Sequence, residues 1–366
     1  MNDRDEFLRD RLRPEQPGTR AARPHGLPPR DFPPIAPRPT PQPPQPPQPP
    51  QPPPPPSHRQ PAPPAPPPGY WGPAVRGWRR IVRLATFGLI NPGPSAARRQ
   101  DAQFEAAIRT LLRGNHKVGV LGKGGVGKTS VAASVGSIFA ELRRQDRVVA
   151  IDADTAFGRL SSRIDPQATG SFWELTADKN LRSFTDVIAR VGRNSAGLHV
   201  LAGEPATGPR RVLDPAIYRE AALRLDRHFA ISVIDCGSTM DAPVTQEVLR
   251  DLDALIVVSS PWADGASAAA RTMEWLSDRG LTRLLHNSIV VLNDSDGHAD
   301  KRTRALLARE FVDHGQPVVE VPFDPHLRPG GVIDVNNEMS PATRRKFLEI
   351  TATIAGYFAA QPERAR

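Results

Sequence analysis

Residues 121–130 read LGKGGVGKTS, and the rest of the chain is best read outward from them. They satisfy the spacing G-x-x-x-x-G-K-[ST] with Gly122, Gly127, Lys128 and Thr129. An apolar run, KVGVLG (117–122), precedes the motif, and a stretch with helical periodicity, Ser130–Arg144, follows it. Strand, glycine-rich turn and helix form the setting in which such a loop cradles phosphate. Gly122, Gly124, Gly125 and Gly127 let the backbone N–H groups of the loop, through Val126 and on to Ser130, turn inward around phosphate oxygens. The following helix N-terminus adds its partial positive charge. In this pattern Lys128 reaches the outer phosphates and the Thr129 hydroxyl binds Mg²⁺.

Downstream, short apolar runs alternate with longer helical stretches. The runs are 147–152 (RVVAID), 197–203 (GLHVLAG), 229–235 (FAISVID), 253–260 (DALIVVSS), 287–293 (NSIVVLN) and 316–322 (QPVVEVP). Helical periodicity marks Pro215–His228, Ala263–Arg279, Lys301–His314 and a last helix over Pro341–Ala359. Continuous Val/Ile runs joined by helical crossovers predict an α/β domain over residues 116–362, its mostly parallel sheet covered by helices on both faces. Upstream, Phe104, Ala107, Ile108, Leu111 and Leu112 predict a helix over Asp101–Arg113.

Three runs end in polar residues at the carboxyl edge of such a sheet, where open α/β folds bind ligands. AIDADTAFGRL (150–160) delivers Asp152 and Asp154 there, although carboxylates at strand ends also serve as helix caps. FAISVIDCGS (229–238) delivers Asp235, followed by Cys236. With no histidine near it in sequence, Cys236 reads as a small strand-end residue rather than a nucleophile. VVLND (290–294) delivers Asn293, whose amide can donate to and accept from a base edge at once, or simply cap the next turn.

Lys123 narrows the reading. KGGVGKT (123–129) resembles the deviant Walker A motif of the MinD/ParA family, P-loop NTPases of the SIMIBI class. The resemblance implies ATP and Mg²⁺ as cofactors and an ATP-dependent homodimer in which Lys123 reaches the partner subunit's nucleotide. Lys123, Lys128 and Asp154 would then be the catalytic residues, with Asp154 positioning the attacking water. Thr129, Asp152 and Asp235 would hold the metal, Asp235 in the Walker B position. Asn293 matches the adenine-contacting asparagine, and VPFDP (321–325), with Asp324, would supply the other side of the base pocket. These motifs span about residues 117–330, in the family's order. The chain departs from the pattern after Asp235: Cys236-Gly237-Ser238-Thr239 stands where related ATPases carry proline or glycine-rich phosphate sensors, which leaves the hydrolysis rate open.

The flanks add a second resemblance. Of the 42 prolines, 27 fall in residues 1–70, with a PQPPQPPQPPQPP repeat. Residues 1–69 therefore predict a disordered, polyproline-rich arm, either a spacer or a docking ligand for a protein partner. Residues 70–115 form a basic aromatic segment. Within it, positions 76–90 pattern as a short amphipathic helix that could lie on a membrane surface, on a partner, or on the core. The proline-rich N-terminus, WRRIVRLATFGLINPGPS (78–95) and VPFDPHLRPGGVIDV (321–335) together resemble the MinD-like ATPases of actinobacterial type VII (ESX) secretion loci, the EspI-like proteins. That resemblance implies an accessory role in secretion, with the secretion machinery as partner.

Charge and cysteine content exclude other classes. The formal charge of +9 comes from the flanks: residues 118–366 carry 30 basic and 31 acidic side chains. A near-neutral core disfavours nucleic acid as the partner, although Arg143, Arg144 and Arg147 cluster at one helix end. A single cysteine rules out an internal disulfide. With no long apolar span and a charged opening at residues 1–10, the expected location is cytoplasmic, or peripheral at the inner face of the membrane. A partitioning or division-positioning ATPase, and an ATP-sensing scaffold that barely hydrolyses, are the competing functions.

Overall fold

The computed structural model describes residues 96–154, 158–181, 183–203 and 211–361. The predicted arm at 1–69 and the segment at 76–90 lie outside the described residues. The strands are β1 (His116–Gly122), β2 (Val148–Asp152), β3 (Gly192–Arg193), β4 (His199–Leu201), β5 (Ile231–Asp235), β6 (Ala254–Ser259), β7 (Ser288–Asn293) and β8 (Val318–Val321). They form one eight-stranded sheet in the order β3-β4-β2-β5-β1-β6-β7-β8. Every pairing is parallel except β3 with β4, where β3 adds a two-residue antiparallel edge that sequence reading did not anticipate.

The helices explain why the strands read as unbroken apolar runs. Every residue of β1, β2, β5, β6 and β7 is buried. Alternate side chains feed two separate cores. Val118, Val120, Val233, Ile256 and Val291 face one side, under α1 (Ala96–Ile108), α2 (Lys128–Leu142) and α11 (Pro341–Ala359). Leu121, Ile151, Ile234, Val257 and Leu292 face the other, under α6 (Pro215–Asp226), α7 (Pro243–Asp251), α8 (Ala263–Asp278) and α10 (Lys301–Asp313). Each fully buried Val, Leu or Ile contributes about 1.5–3 kcal/mol. Helix α2 is buried over most of its length, which accounts for its small Ala, Ser and Gly residues: Gly136 passes Leu198 so closely that a Cβ would sit 2.9 Å from it.

One boundary is corrected. The upstream helix was expected over Asp101–Arg113, within a linker segment; it spans Ala96–Ile108 and packs with the domain. Asp101 takes two bonds from Arg345 of α11, at 2.6 and 3.0 Å. Arg143 Nη1 donates to the carbonyls of Ile108 and Thr110, which ends the helix there and leaves Leu111 exposed. Four short helices, α3 (Leu160–Ile164), α4 (Phe172–Ala177), α5 (Phe184–Ile188) and α9 (Thr282–His286), and the nine-residue α7 complete the connections. Among the described residues no helix is long and apolar enough to cross a membrane.

Candidate functional site

The loop from β1 to α2 is held by close approaches that only glycine permits. Gly127, at the N-cap of α2, has φ 93°, and a Cβ there would lie 2.4 Å from Asn293 Nδ2. A Cβ on Gly122 would lie 2.2 Å from the Val258 carbonyl oxygen. Strands β6 and β7 thus set the loop from below. From β7, Asn293 Nδ2 donates to the Val126 carbonyl at 2.8 Å, tying the strand end directly to the loop.

Two lysines leave the loop with different partners. Lys128 is buried, and its Nζ donates to Ser238 Oγ at 2.8 Å and to the Lys123 carbonyl at 3.3 Å, both neutral acceptors. Lys123 turns outward and pairs with Asp264 of α8 at 2.7 Å, with both side chains more than half exposed. That hydrogen bond and the Lys123 charge hold the Asp264 carboxyl below its usual range. Neither Ser238 nor Asp264 was foreseen. Each is brought in by the fold from more than 100 residues away.

Beside Lys128, Asp152 and Asp235 stand opposite each other on adjacent strands, each about 1% exposed. Asp152 accepts from the Leu160 N–H at 3.0 Å and the Asp154 N–H at 3.2 Å. Its pKa is nonetheless raised well above the carboxylate range, by burial first and by the charge of Asp235 second. Asp235 is also raised, by burial, against the opposing effects of the Thr129 hydroxyl bond and the Lys128 charge. Its Oδ1 has no protein partner. Asp154 lies next to Gly237, just beyond Asp235. Burial also pushes the Cys236 thiol up, to about 12, as befits a structural strand-end residue.

This arrangement fits a hydrated divalent cation. Two facing buried carboxylates and an orphaned oxygen lie beside a hydroxyl, and a positive charge would relieve them. Among the described residues no three His, Cys, Asp or Glu side chains converge as a metal site. A metal held here would therefore take its remaining ligands from water and phosphate, as Mg²⁺ does.

Against the other side of the loop lies a cavity of about 170 Å³, lined by Gly125, Gly127, Ser130, Asn293 and Asp324 among others. The structure thus brings the predicted base-pocket residues to the same place. Asp324, however, is committed to the backbone: its oxygens accept from the His326 N–H at 3.0 Å and the Ser340 N–H at 2.9 Å. Those bonds outweigh its burial and hold its pKa down. Two guanidinium groups that sequence reading missed also line the cavity. Arg163 donates to the carbonyls of Leu327 and Gly331, and Arg328 to that of Ser295.

Comparison with known proteins agrees with this geometry. Residues 118–329 match the CobQ/CobB/MinD/ParA nucleotide binding domain. The chain is 32% identical over 287 residues to the ESX-1 secretion-associated protein EspI of Mycobacterium tuberculosis, in two strains. That match covers 77% of this chain, which spans 42% of the length of the curated relatives. Among solved structures, a ParA family ATPase from Chlorobium tepidum superposes with a TM-score of 0.52 at 18% identity, covering 65% of this chain and 98% of its own. The septum site-determining protein MinD from Pyrococcus horikoshii, solved with Mg-ADP, superposes at 0.50 with 18% identity, covering 65% and 94%. At these identities the structures speak for the fold.

Proposed function

Because this chain belongs to the CobQ/CobB/MinD/ParA family of nucleotide-binding domains, we propose that it binds ATP with Mg²⁺ and hydrolyses it slowly to run a dimeric switch. The observation that carries the reading is the facing pair Asp152–Asp235 with its orphaned oxygen, set between the Thr129 hydroxyl and the buried Lys128. Such a site is costly to bury empty and is relieved by a metal and phosphates arriving together.

Each side chain then has a task. The loop N–H groups and Lys128 bind the phosphates, with Lys128 exchanging Ser238 for phosphate oxygen. Thr129, Asp152 and Asp235 hold Mg²⁺, which when bound neutralises charge on the phosphates. Asp154, beside Gly237, orients the attacking water and accepts its proton. Asn293 and the cavity next to it receive the base. Lys123 supplies the state-dependent contact. Paired with its own Asp264 in a single subunit, it is free to reach the partner's nucleotide in a dimer. The ligand shifts the monomer–dimer balance only through that difference in contacts.

Similarity to EspI supports an accessory role in ESX-type secretion, with a secretion component as partner. A second reading, an ATP-sensing scaffold with little turnover, is favoured by one feature. Ser238, in the segment that departs from the family pattern, already occupies Lys128.

The test is ATP turnover and solution mass measured together, for wild type, Lys123→Ala, Lys128→Ala and Asp154→Ala. The switch predicts slow turnover and an ATP-dependent dimer in wild type, loss of nucleotide in Lys128→Ala, and accumulated dimer in Asp154→Ala. Tight ATP binding by a monomer that never turns over would replace the switch with the scaffold.

A further inference from the structure

At the opposite end of α2 from the phosphate loop lies a larger cavity, about 640 Å³, at the amino edge of the sheet. That volume falls within the range of small-molecule sites, about 300–1,000 Å³. Three arginines line it: Arg144 after α2, Arg147 before β2, and Arg193 on β3. Two carboxylates also line it, and both are already neutralised. Glu141 takes two bonds from Arg344, at 3.1 and 3.0 Å, and Asp146 is held by Arg143 at 2.5–2.7 Å. Among the described residues none of the three lining guanidinium groups forms an ion pair with a carboxylate, although the Arg193 backbone N–H donates to Asp165 at 3.0 Å, and all three residues are exposed. The cavity therefore carries an uncompensated positive charge, on a domain whose own charge is near neutral.

The cavity also has an organised apolar and aromatic wall. Arg147 stacks over the Phe184 ring at 3.7 Å. His199, 8% exposed, meets Phe184 edge-on at 5.9 Å, and its Nδ1 has no hydrogen-bond partner in the protein. Burial, with Arg193 and Arg147 nearby, lowers the His199 pKa and keeps the ring neutral at physiological pH. A flat cation on an aromatic face, two further guanidinium groups and a neutral imidazole make a recognition set for a planar, negatively charged body.

From this we propose a second ligand site, distinct from the phosphate loop, that takes a small molecule bearing a ring and at least two negative charges. The concave shape and volume of the cavity favour such a ligand over a nucleic-acid backbone, which needs an extended basic track rather than a pocket. The proposal stands apart from the nucleotide reading, because no residue of the phosphate loop lines this cavity.

The probe is flavin mononucleotide, whose ring fluoresces and whose phosphate supplies the charge, titrated into the nucleotide-free full chain. Inorganic phosphate serves as the ringless control. Saturable one-to-one binding is expected, weakened about tenfold by Arg147→Ala or Arg193→Ala and unchanged by Lys128→Ala. Phosphate alone should compete weakly. Because Arg147 also packs on Phe184, thermal melting is followed for each variant. Should Arg147→Ala fail to fold, Arg144→Ala and Arg193→Ala decide. No saturable binding, binding indifferent to the arginines, or binding lost in Lys128→Ala would each overturn the site. So would a 20-base-pair duplex that binds through the same arginines while the flavin does not, since the face would then belong to nucleic acid.

Discussion

The two edges of the sheet bury charge in opposite ways. At the amino edge, the Lys117 side chain is 5% exposed and its Nζ sits between Asp226 at 2.8 Å and Asp251 at 2.5 Å. The Lys117 N–H donates to Asp253, and the Tyr218 hydroxyl donates to Asp251. At the carboxyl edge, Asp152 and Asp235 face each other with raised pKa values, and Lys128 leans on a serine and a carbonyl. Desolvation is offset by pairing at the first edge and left outstanding at the second. The comparison teaches that burial of charge alone does not mark a functional site. Burial without a partner does.

The comparison can be broken first at the paired edge. Lys117→Ala removes the buried cation between two part-exposed aspartates. It should cost about 2–3 kcal/mol of stability, read by chemical denaturation, while the protein that remains folded keeps its nucleotide affinity. At the unpaired edge the effects should reverse. Lys128→Ala should leave the fold intact and weaken ATP about a hundredfold by calorimetry, the worth of about 2–3 kcal/mol of charge-assisted hydrogen bonding. Equal loss of stability in both variants would erase the distinction.

Asp235→Asn sharpens it further. The raised carboxyls keep protons in the folded state that the unfolded chain has lost. Stability without nucleotide should therefore fall as pH rises from the usual carboxylate range toward neutrality. The variant should flatten that slope and raise the nucleotide-free melting temperature at pH 8 by about 2–4 °C. It should also lose the added stabilisation by Mg²⁺ and ATP. A slope as steep as wild type would mean that other groups set it. The smallest effect is expected from Asp264→Ala, because the Lys123–Asp264 pair is largely solvated. Melting should not change, whereas dimerisation should need less ATP, which sedimentation against nucleotide concentration would show.

The legible parts of the molecule were those with a one-dimensional signature. Seven of the eight strands stood out as apolar runs, six of them buried on both faces and β8 buried at alternate residues only. β3, a two-residue edge strand beginning at Gly192, carries no pattern at all. α2, α6, α8, α10 and α11 were visible from their periodicity. α3, α4, α5 and α9 span five or six residues, too short to show a period. α1 was placed five residues late because Leu111 and Leu112 continue its apolar spacing. What ends it is the Arg143 guanidinium, a tertiary contact that no local pattern announces. The site divides the same way. Gly122 to Ser130, Asp152, Asp154, Asp235 and Asn293 announced themselves by motif and strand-end position. Ser238, Asp264, Arg163 and Arg328 act only through distant partners.

Helix α2 is buried at twelve of its fifteen residues, from Lys128 to Ala140. The amide protons of its interior turns should therefore exchange with solvent through opening of the whole domain rather than of the loop. A molecule captured at the tip of that helix lowers the population of the globally open state by a factor of one plus the ratio of free ligand concentration to Kd. Hydrogen exchange deep in the sheet, far from the loop, should then report how much ligand the tip is holding.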